Sequence, residues 1–168
     1  MLEEQLLDPA KHDRQNFSSG VADLDVFLSR FAMQQSKKGI TVVRVLVDTE
    51  APKTILGYYS LSAAQVDTTQ LDALDQQKLP RYPVPCFRLG RLATHSDHWG
   101  RGFGRLLMGL ALNRCLEAQK IVAAYALIVD AKDAAAAAFY KHYGFTHCQN
   151  NPLSLYLPLE QNYTKMLP

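Results

Sequence analysis

Cysteine is scarce in this chain of 168 residues, and the three present (Cys86, Cys115 and Cys148) are odd in number and scattered. That excludes a disulfide framework and a Cys-x-x-Cys metal site, so no metal is expected. None of the three has a suggestive partner motif, and they read as small buried residues of a cytoplasmic, reduced protein. Long apolar runs are also missing, so no membrane span is expected. The start, Met1-Leu2-Glu3-Glu4-Gln5, has no basic segment followed by an apolar stretch, so no secretory leader is expected. Acids are nearly absent from one window. Between Lys78 and Arg114 stand seven basic residues (Lys78, Arg81, Arg88, Arg91, Arg101, Arg105 and Arg114) and one acid, Asp97, which gives +6 within a net charge of only +2. This asymmetry points to a polyanionic ligand; a phosphate-rich cofactor could account for several of these charges, so nucleic acid is not required. With 48% hydrophobic residues and no repeat or linker, one domain over residues 1–168 is expected.

What the chain does have is concentrated at His98-Trp99-Gly100-Arg101-Gly102-Phe103-Gly104-Arg105-Leu106-Leu107. A glycine-rich turn entering a helix brings several backbone N–H groups together, and residues without a Cβ let a phosphate approach them. Arg101 and Arg105 add guanidinium forks suited to phosphate oxygens. The same pattern also serves as a plain helix cap, so this segment does not decide the matter alone.

Around it the elements follow from periodicity. Ser18-Ser19-Gly20 ahead of Val21, Leu24, Leu28 and Phe31 predicts a serine-capped amphipathic helix over 20–35. Thr41 to Val47 is β-branched and reads as a strand, with Thr54 to Val66 as its antiparallel partner. Asp67 to Pro85 is polar and then proline-rich, with one short helix near 71–77. Cys86 to Ala93 is a strand. After the glycine turn, Phe103, Leu107, Leu110 or Ala111, Cys115 and Ala118 share a helical face. Ile121 to Val129 is a strand, Asp133 to Tyr143 an alanine-rich helix closed by Gly144, and Phe145–Cys148 and Leu153–Leu157 a last pair of short strands. The order implies a mixed α/β sheet of six or seven strands, with a parallel crossover in the second half and flanking helices.

Two separated motifs then resemble the GNAT superfamily of acyl-CoA N-acetyltransferases. One is Trp99-Gly100-Arg101-Gly102-Phe103-Gly104, similar to the family's Gln/Arg-x-x-Gly-x-Gly/Ala turn. The other runs from Asp133 through Ala136 to Phe139-Tyr140-Lys141-His142-Tyr143-Gly144-Phe145. Trp99 stands where Gln or Arg is usual and Asp133 where Asn is common. Within the family, Leu89-Gly90-Arg91-Leu92-Ala93, Phe17-Ser18-Ser19-Gly20 ahead of Leu24-Asp25, Gly57-Tyr58-Tyr59-Ser60-Leu61 and the Pro80–Pro85 approach resemble the acetyltransferase toxins of bacterial toxin–antitoxin pairs.

The resemblance implies a GNAT fold with a splayed parallel strand pair, acetyl-CoA as co-substrate, and the α-amino group of aminoacyl-tRNA as acceptor. It implies a ribbon-helix-helix antitoxin as partner, and a homodimer is common among relatives. Backbone groups of Leu92, Ala93 and Thr94 would pair with the pantetheine arm, and the turn from Trp99 and Gly100 through Arg101, Gly102 and Gly104 to Arg105 would take the pyrophosphate. Asp133 and Phe139 belong to the second motif and to the cofactor side. Tyr140 occupies the position of the general acid; a phenol of pKa about 10 can protonate a thiolate of pKa about 8.5. Arg91, Arg81 and Lys78 would contact tRNA, although Arg91 could equally be an ion-paired strand arginine and the other two solvated loop charges. No general base is apparent: His95, His98 and His142 are candidates by residue type alone. Two other readings stay open, a GNAT enzyme acting on a small amine, amino acid or protein amine, and a protein that chiefly binds an antitoxin and co-represses DNA.

Overall fold

In a computed structural model, which describes residues 1–159, the β-branched run forms β2 (Val42–Asp48) between β1 (Leu2–Leu6) and β3 (Gly57–Val66). The end of the expected 1–168 domain lies outside the described residues. Four further strands are β4 (Val84–Thr94), β5 (Ala126–Asp130), β6 (Thr146–Cys148) and β7 (Asn151–Pro158). The sheet has seven strands in the order β1-β2-β3-β4-β5-β7-β6. Strands β1–β2, β2–β3, β5–β7 and β6–β7 pair antiparallel, and β4–β5 pair parallel, from Cys86 opposite Ala126 to Leu89 opposite Val129. That pairing stops at Leu89, although β4 itself runs on to Thr94. Residues Ala126–Val129 are buried throughout, as a parallel strand covered on both faces requires.

The chain divides into two compact units. Among the described residues, one comprises Met1–Ser62 with Gly90–Ala111, the other Ala63–Leu89 with 112–159. In the first unit Val43, Val45 and Val47 of β2 enter a core with Phe17, Phe27, Leu28 and Tyr58. In the second, Ala126 and Ile128 pack with Val66, Leu71, Cys86, Cys148 and Tyr156.

Two elements differ from the sequence reading. Strand β1 was not expected, because its Leu-Glu-Glu-Gln-Leu lacks β-branched residues; it is an edge strand, where charge is favoured over β propensity. The helix expected over 20–35 is interrupted. It runs as α1 (Ala22–Val26), a π-helical turn (Phe27–Phe31) in which the Ala32 N–H donates to the Phe27 carbonyl, and α2 (Ala32–Lys37). The wide turn buries Phe27, Leu28 and Ala32 and leaves Phe31 45% exposed. Neither Ser18 nor Ser19 is the N-cap, which is Val21. Instead Ser19 donates through both its N–H (2.9 Å) and its hydroxyl (2.7 Å) to Asp25 Oδ1.

Of the remaining helices, α3 (Ala73–Gln77) lies within the polar stretch, after a 3₁₀ turn (Thr68–Gln70). Helix α4 (Phe103–Gln119) buries Phe103, Leu107, Ala111 and Cys115 as expected, and Met108, Leu112 and Leu116 besides. Helix α5 (Ala134–His142) follows β5, which begins five residues later than expected, since Ile121 and Val122 are exposed in the preceding loop. Among the described residues no helix is long and apolar enough to cross a membrane.

Candidate active site

The glycine turn has the backbone that its sequence implies. Gly100 and Gly102 adopt φ of +84° and +78°, a region that residues with a Cβ enter at a cost of about 1–2 kcal/mol. Nothing lies within 4 Å of where a Cβ would stand on either residue, so the space in front of this backbone is open. Helix α4 starts at Phe103, and the Leu106 N–H is the first to reach back, donating to the Gly102 carbonyl. The amides of Phe103, Gly104 and Arg105 therefore lie in the first turn, where no intrahelical acceptor exists. Arg101 lies over the Phe103 ring, 4.9 Å from its centroid, with Nη1 3.0 Å from His98 Nδ1. Arg101 and Arg105 are exposed. An open cradle of first-turn amides at the positive end of a 17-residue helix, with the exposed Arg101 and Arg105 next to it in sequence, fits a pyrophosphate.

Strand β4 leads into this turn. Ala93 is buried, while Leu92 and Thr94 are half-buried. The Thr94 carbonyl accepts the Trp99 indole N–H at 3.4 Å. Trp99 is 62% exposed, and its ring edge approaches Gly20, where a Cβ would lie 3.1 Å from it. Gly57 is glycine for a different reason: a Cβ there would come within 2.6 Å of Leu107 Cδ1 and 2.9 Å of the Ala93 carbonyl oxygen. Among the described residues Arg91 has no ion-pair partner. Its guanidinium carbon lies 3.6 Å from the centroid of the Phe27 ring, and it makes no hydrogen bond or ion pair with any described residue. Nothing in the sequence links Phe27 with Arg91; the π-helical turn and β4 bring them together.

His95 and His98 belong to this unit too. His95 Nδ1 accepts the Asp97 N–H (3.2 Å), and the ring meets Phe17 and His98 edge-on with centroids 5.6 Å apart in each case. The other unit carries the second motif. Asp133 is the N-cap of α5, its Oδ1 accepting the Ala136 N–H at 2.8 Å, which explains an acid at that position in structural terms. Phe139 and Tyr140 are neighbours on α5 with ring centroids 5.2 Å apart, and Tyr140 also meets Phe145 edge-on at 5.4 Å. Tyr140 is 7% exposed, and burial pushes its hydroxyl pKa well above the usual 10, so the phenol keeps its proton. His142 packs edge-on against Tyr143. Lys78 and Arg81 are exposed. Arg88, not singled out by the sequence reading, pairs with Asp130, whose other oxygen accepts the Ser154 hydroxyl at 2.7 Å.

The three cysteines are buried, and burial raises Cys86 to about 11 and Cys115 to about 12, which keeps both as thiols. No group of three His, Cys, Asp or Glu residues able to hold a metal occurs among the described residues.

Comparison with known proteins places this arrangement. The acetyltransferase (GNAT) family profile matches residues 11–145. A tRNA-acetylating toxin of Mycobacterium tuberculosis is 32% identical over 145 residues, spanning 86% of this chain and 85% of that protein. The probable toxin TacT of Sinorhizobium fredii is 24% identical over 161 residues, 91% of this chain and 88% of that one. Among solved structures, AtaT complexed with acetyl-methionyl-tRNAfMet superposes with a TM-score of 0.90 at 28% identity, covering 98% of this chain and 99% of that chain. A tyrosine-to-phenylalanine mutant of AtaT, bound to the C-terminus of the antitoxin AtaR and acetyl-CoA, gives 0.82 at 26% identity, with 99% of each chain covered. The mixed sheet with its glycine turn after β4 is that of an acyl-transferring enzyme. The chain belongs to the GNAT acetyltransferase family.

Proposed function

We propose that this chain is an acetyl-CoA-dependent N-acetyltransferase whose acceptor is the α-amino group of an aminoacyl-tRNA. Blocking that amine stops the aminoacyl-tRNA from supporting translation, so the protein acts as a toxin, in the cytoplasm, restrained by an antitoxin of the ribbon-helix-helix kind. The observation that carries this reading is the near full-length likeness to a tRNA-acetylating toxin and to AtaT in complex with its acetylated aminoacyl-tRNA. AtaT with AtaR and acetyl-CoA supports the choice of cofactor and partner.

In this reading the amides from Gly100 to Arg105 hold the pyrophosphate of CoA, with Arg101 and Arg105 alongside. Backbone groups of Leu92, Ala93 and Thr94 line the arm, with the Thr94 carbonyl already shared by Trp99. Bound acetyl-CoA supplies an activated thioester. Tyr140 holds a proton on its phenol oxygen and gives it to the departing thiolate as the amine displaces it from the acetyl carbon. The α-ammonium of an aminoacyl ester has a pKa near 8 or lower, so water can take its proton without a dedicated base. Arg91, Arg81 and Lys78 meet the phosphates of the acceptor strand.

The test is transfer of radiolabelled acetyl from acetyl-CoA into total charged tRNA, with deacylated tRNA and free amino acids as controls. Label in charged tRNA alone, recovered as an N-acetyl amino acid after ester hydrolysis, is the expected result. Label only in small amines or proteins would replace the acceptor with one of those.

A further inference from the structure

The cation of Arg91 is prepared for a ligand by a ring that no motif includes. Phe27 is 3% exposed and sits in the π-helical turn. Tyr58 stacks with it, with centroids 6.2 Å apart and planes 23° from parallel, and the Tyr58 hydroxyl donates to the Leu24 carbonyl at 2.7 Å, tying ring and helix together. The Arg91 guanidinium lies over Phe27 at 3.6 Å. The acid on this helix that also faces Tyr58, Asp25, is engaged by Ser19 through two hydrogen bonds. Arg91 therefore has one face desolvated on an aromatic plane and its N–H donors uncommitted among the described residues. A stacked guanidinium is planar and fixed, and its fork matches a phosphodiester in a way that a mobile ammonium does not.

We propose that Phe27 is a positioning residue for RNA binding: it fixes the Arg91 guanidinium flat so that its free edge takes a phosphate of the tRNA acceptor strand. This rests on the reading of Arg91 as an RNA contact, and the experiment separates the two. KM for aminoacyl-tRNA, kcat, and the slope of log affinity against log salt are measured for Arg91→Ala, Phe27→Leu, Phe27→Tyr and the double variant Phe27→Leu/Arg91→Ala, with acetyl-CoA affinity as the check on folding. The expected result is a rise of about tenfold in KM and a shallower salt slope for both Arg91→Ala and Phe27→Leu, with kcat and acetyl-CoA affinity held. The double variant is no worse than Arg91→Ala, and Phe27→Tyr, which keeps the ring, is restored. Unchanged RNA binding in Arg91→Ala would overturn the RNA-contact reading, and the proposal with it. A loss in Arg91→Ala with wild-type binding in Phe27→Leu, or additive losses in the double variant, would overturn the positioning role alone. Should Phe27→Leu fail to fold, Arg91→Lys decides. A loss like that of Arg91→Ala supports the planar stack, and wild-type binding with the charge retained overturns it.

Discussion

His12 is the buried side chain whose protonation bears most directly on stability. Its Nδ1 accepts the Asp8 N–H at 3.0 Å, which puts the ring hydrogen on Nε2, 2.8 Å from Gln5 Oε1. Burial lowers its pKa below 6.5, and Lys11 adds to the effect while Asp8 opposes it. The unfolded chain thus binds a proton at a higher pH than the folded one. Stability from this group is complete above about pH 6.5 and is lost as the pH falls towards the lower folded value. Thermal unfolding followed from about pH 7.5 down to pH 5 should show a smaller drop in Tm for His12→Gln than for the wild type, although the variant starts lower. Parallel curves would contradict the assignment. At the turn, Gly102→Ala should reduce acetyl-CoA affinity at least about tenfold while lowering Tm by only about 2–8 °C, the shift expected from about 1–2 kcal/mol of strain in a chain of this size. The lone tryptophan, Trp99, stands beside the turn, so its fluorescence reports the titration directly. Loss of Tm with unchanged affinity would mean that the turn is a cap and not an anion site. The glycine turn was legible from spacing within a single segment, whereas Tyr140 was singled out only through the family resemblance. That Asp133 caps α5 and that Arg91 stacks on Phe27 were not legible, because each depends on where a side chain points once the elements pack.

At the scale of elements, the stretch from Asp67 to Pro85 is more ordered than its polar, proline-rich composition suggests. The Tyr156 hydroxyl on β7 accepts the Asp72 N–H at 2.9 Å and donates to Asp75. Gln149 adds a backbone bond to the Gln70 carbonyl (2.7 Å) and a side-chain bond to the Leu71 carbonyl (3.0 Å). Lys78 and Arg81 thus follow a docked segment. Tyr156→Phe removes two bonds at once and leaves the Asp72 amide without its acceptor, for a loss of about 1–3 kcal/mol. Amide exchange should rise over residues 67–79 and stay unchanged in β2, whereas a uniform rise would mean that the hydroxyl supports the whole fold. Local patterning found β2, β3, β4, α4 and α5, whose apolar periods are strong. It missed β1, a charged edge strand recognisable only through its pairing with β2, and it ran one helix through the π turn, since a wider turn leaves no distinct residue type in the sequence. It also extended β5 back to Ile121, because exposed and buried apolar residues look alike before folding.

For the molecule as a whole, the proposed RNA binding should depend steeply on salt, because seven basic residues stand against one acid between Lys78 and Arg114. Each phosphate contact removed should make the slope of log affinity against log salt shallower by about 0.7–0.9. Arg81→Ala should therefore flatten the slope by about that amount with acetyl-CoA affinity intact; an unchanged slope would make Arg81 a solvated charge. The proposed reaction joins the Tyr140 phenol on α5 to an aminoacyl-tRNA acceptor, and a single-turnover experiment tests that pairing most directly. Acetyl-CoA and charged tRNA are mixed with excess enzyme, wild type and Tyr140→Phe in parallel, and acetylated aminoacyl-tRNA is followed in time. Rapid product is expected with the wild type, and a rate at least about 100-fold lower with Tyr140→Phe at unchanged acetyl-CoA affinity. No acetylated aminoacyl-tRNA from a wild type that binds acetyl-CoA would contradict the acceptor, and equal rates in the two proteins would contradict the acid.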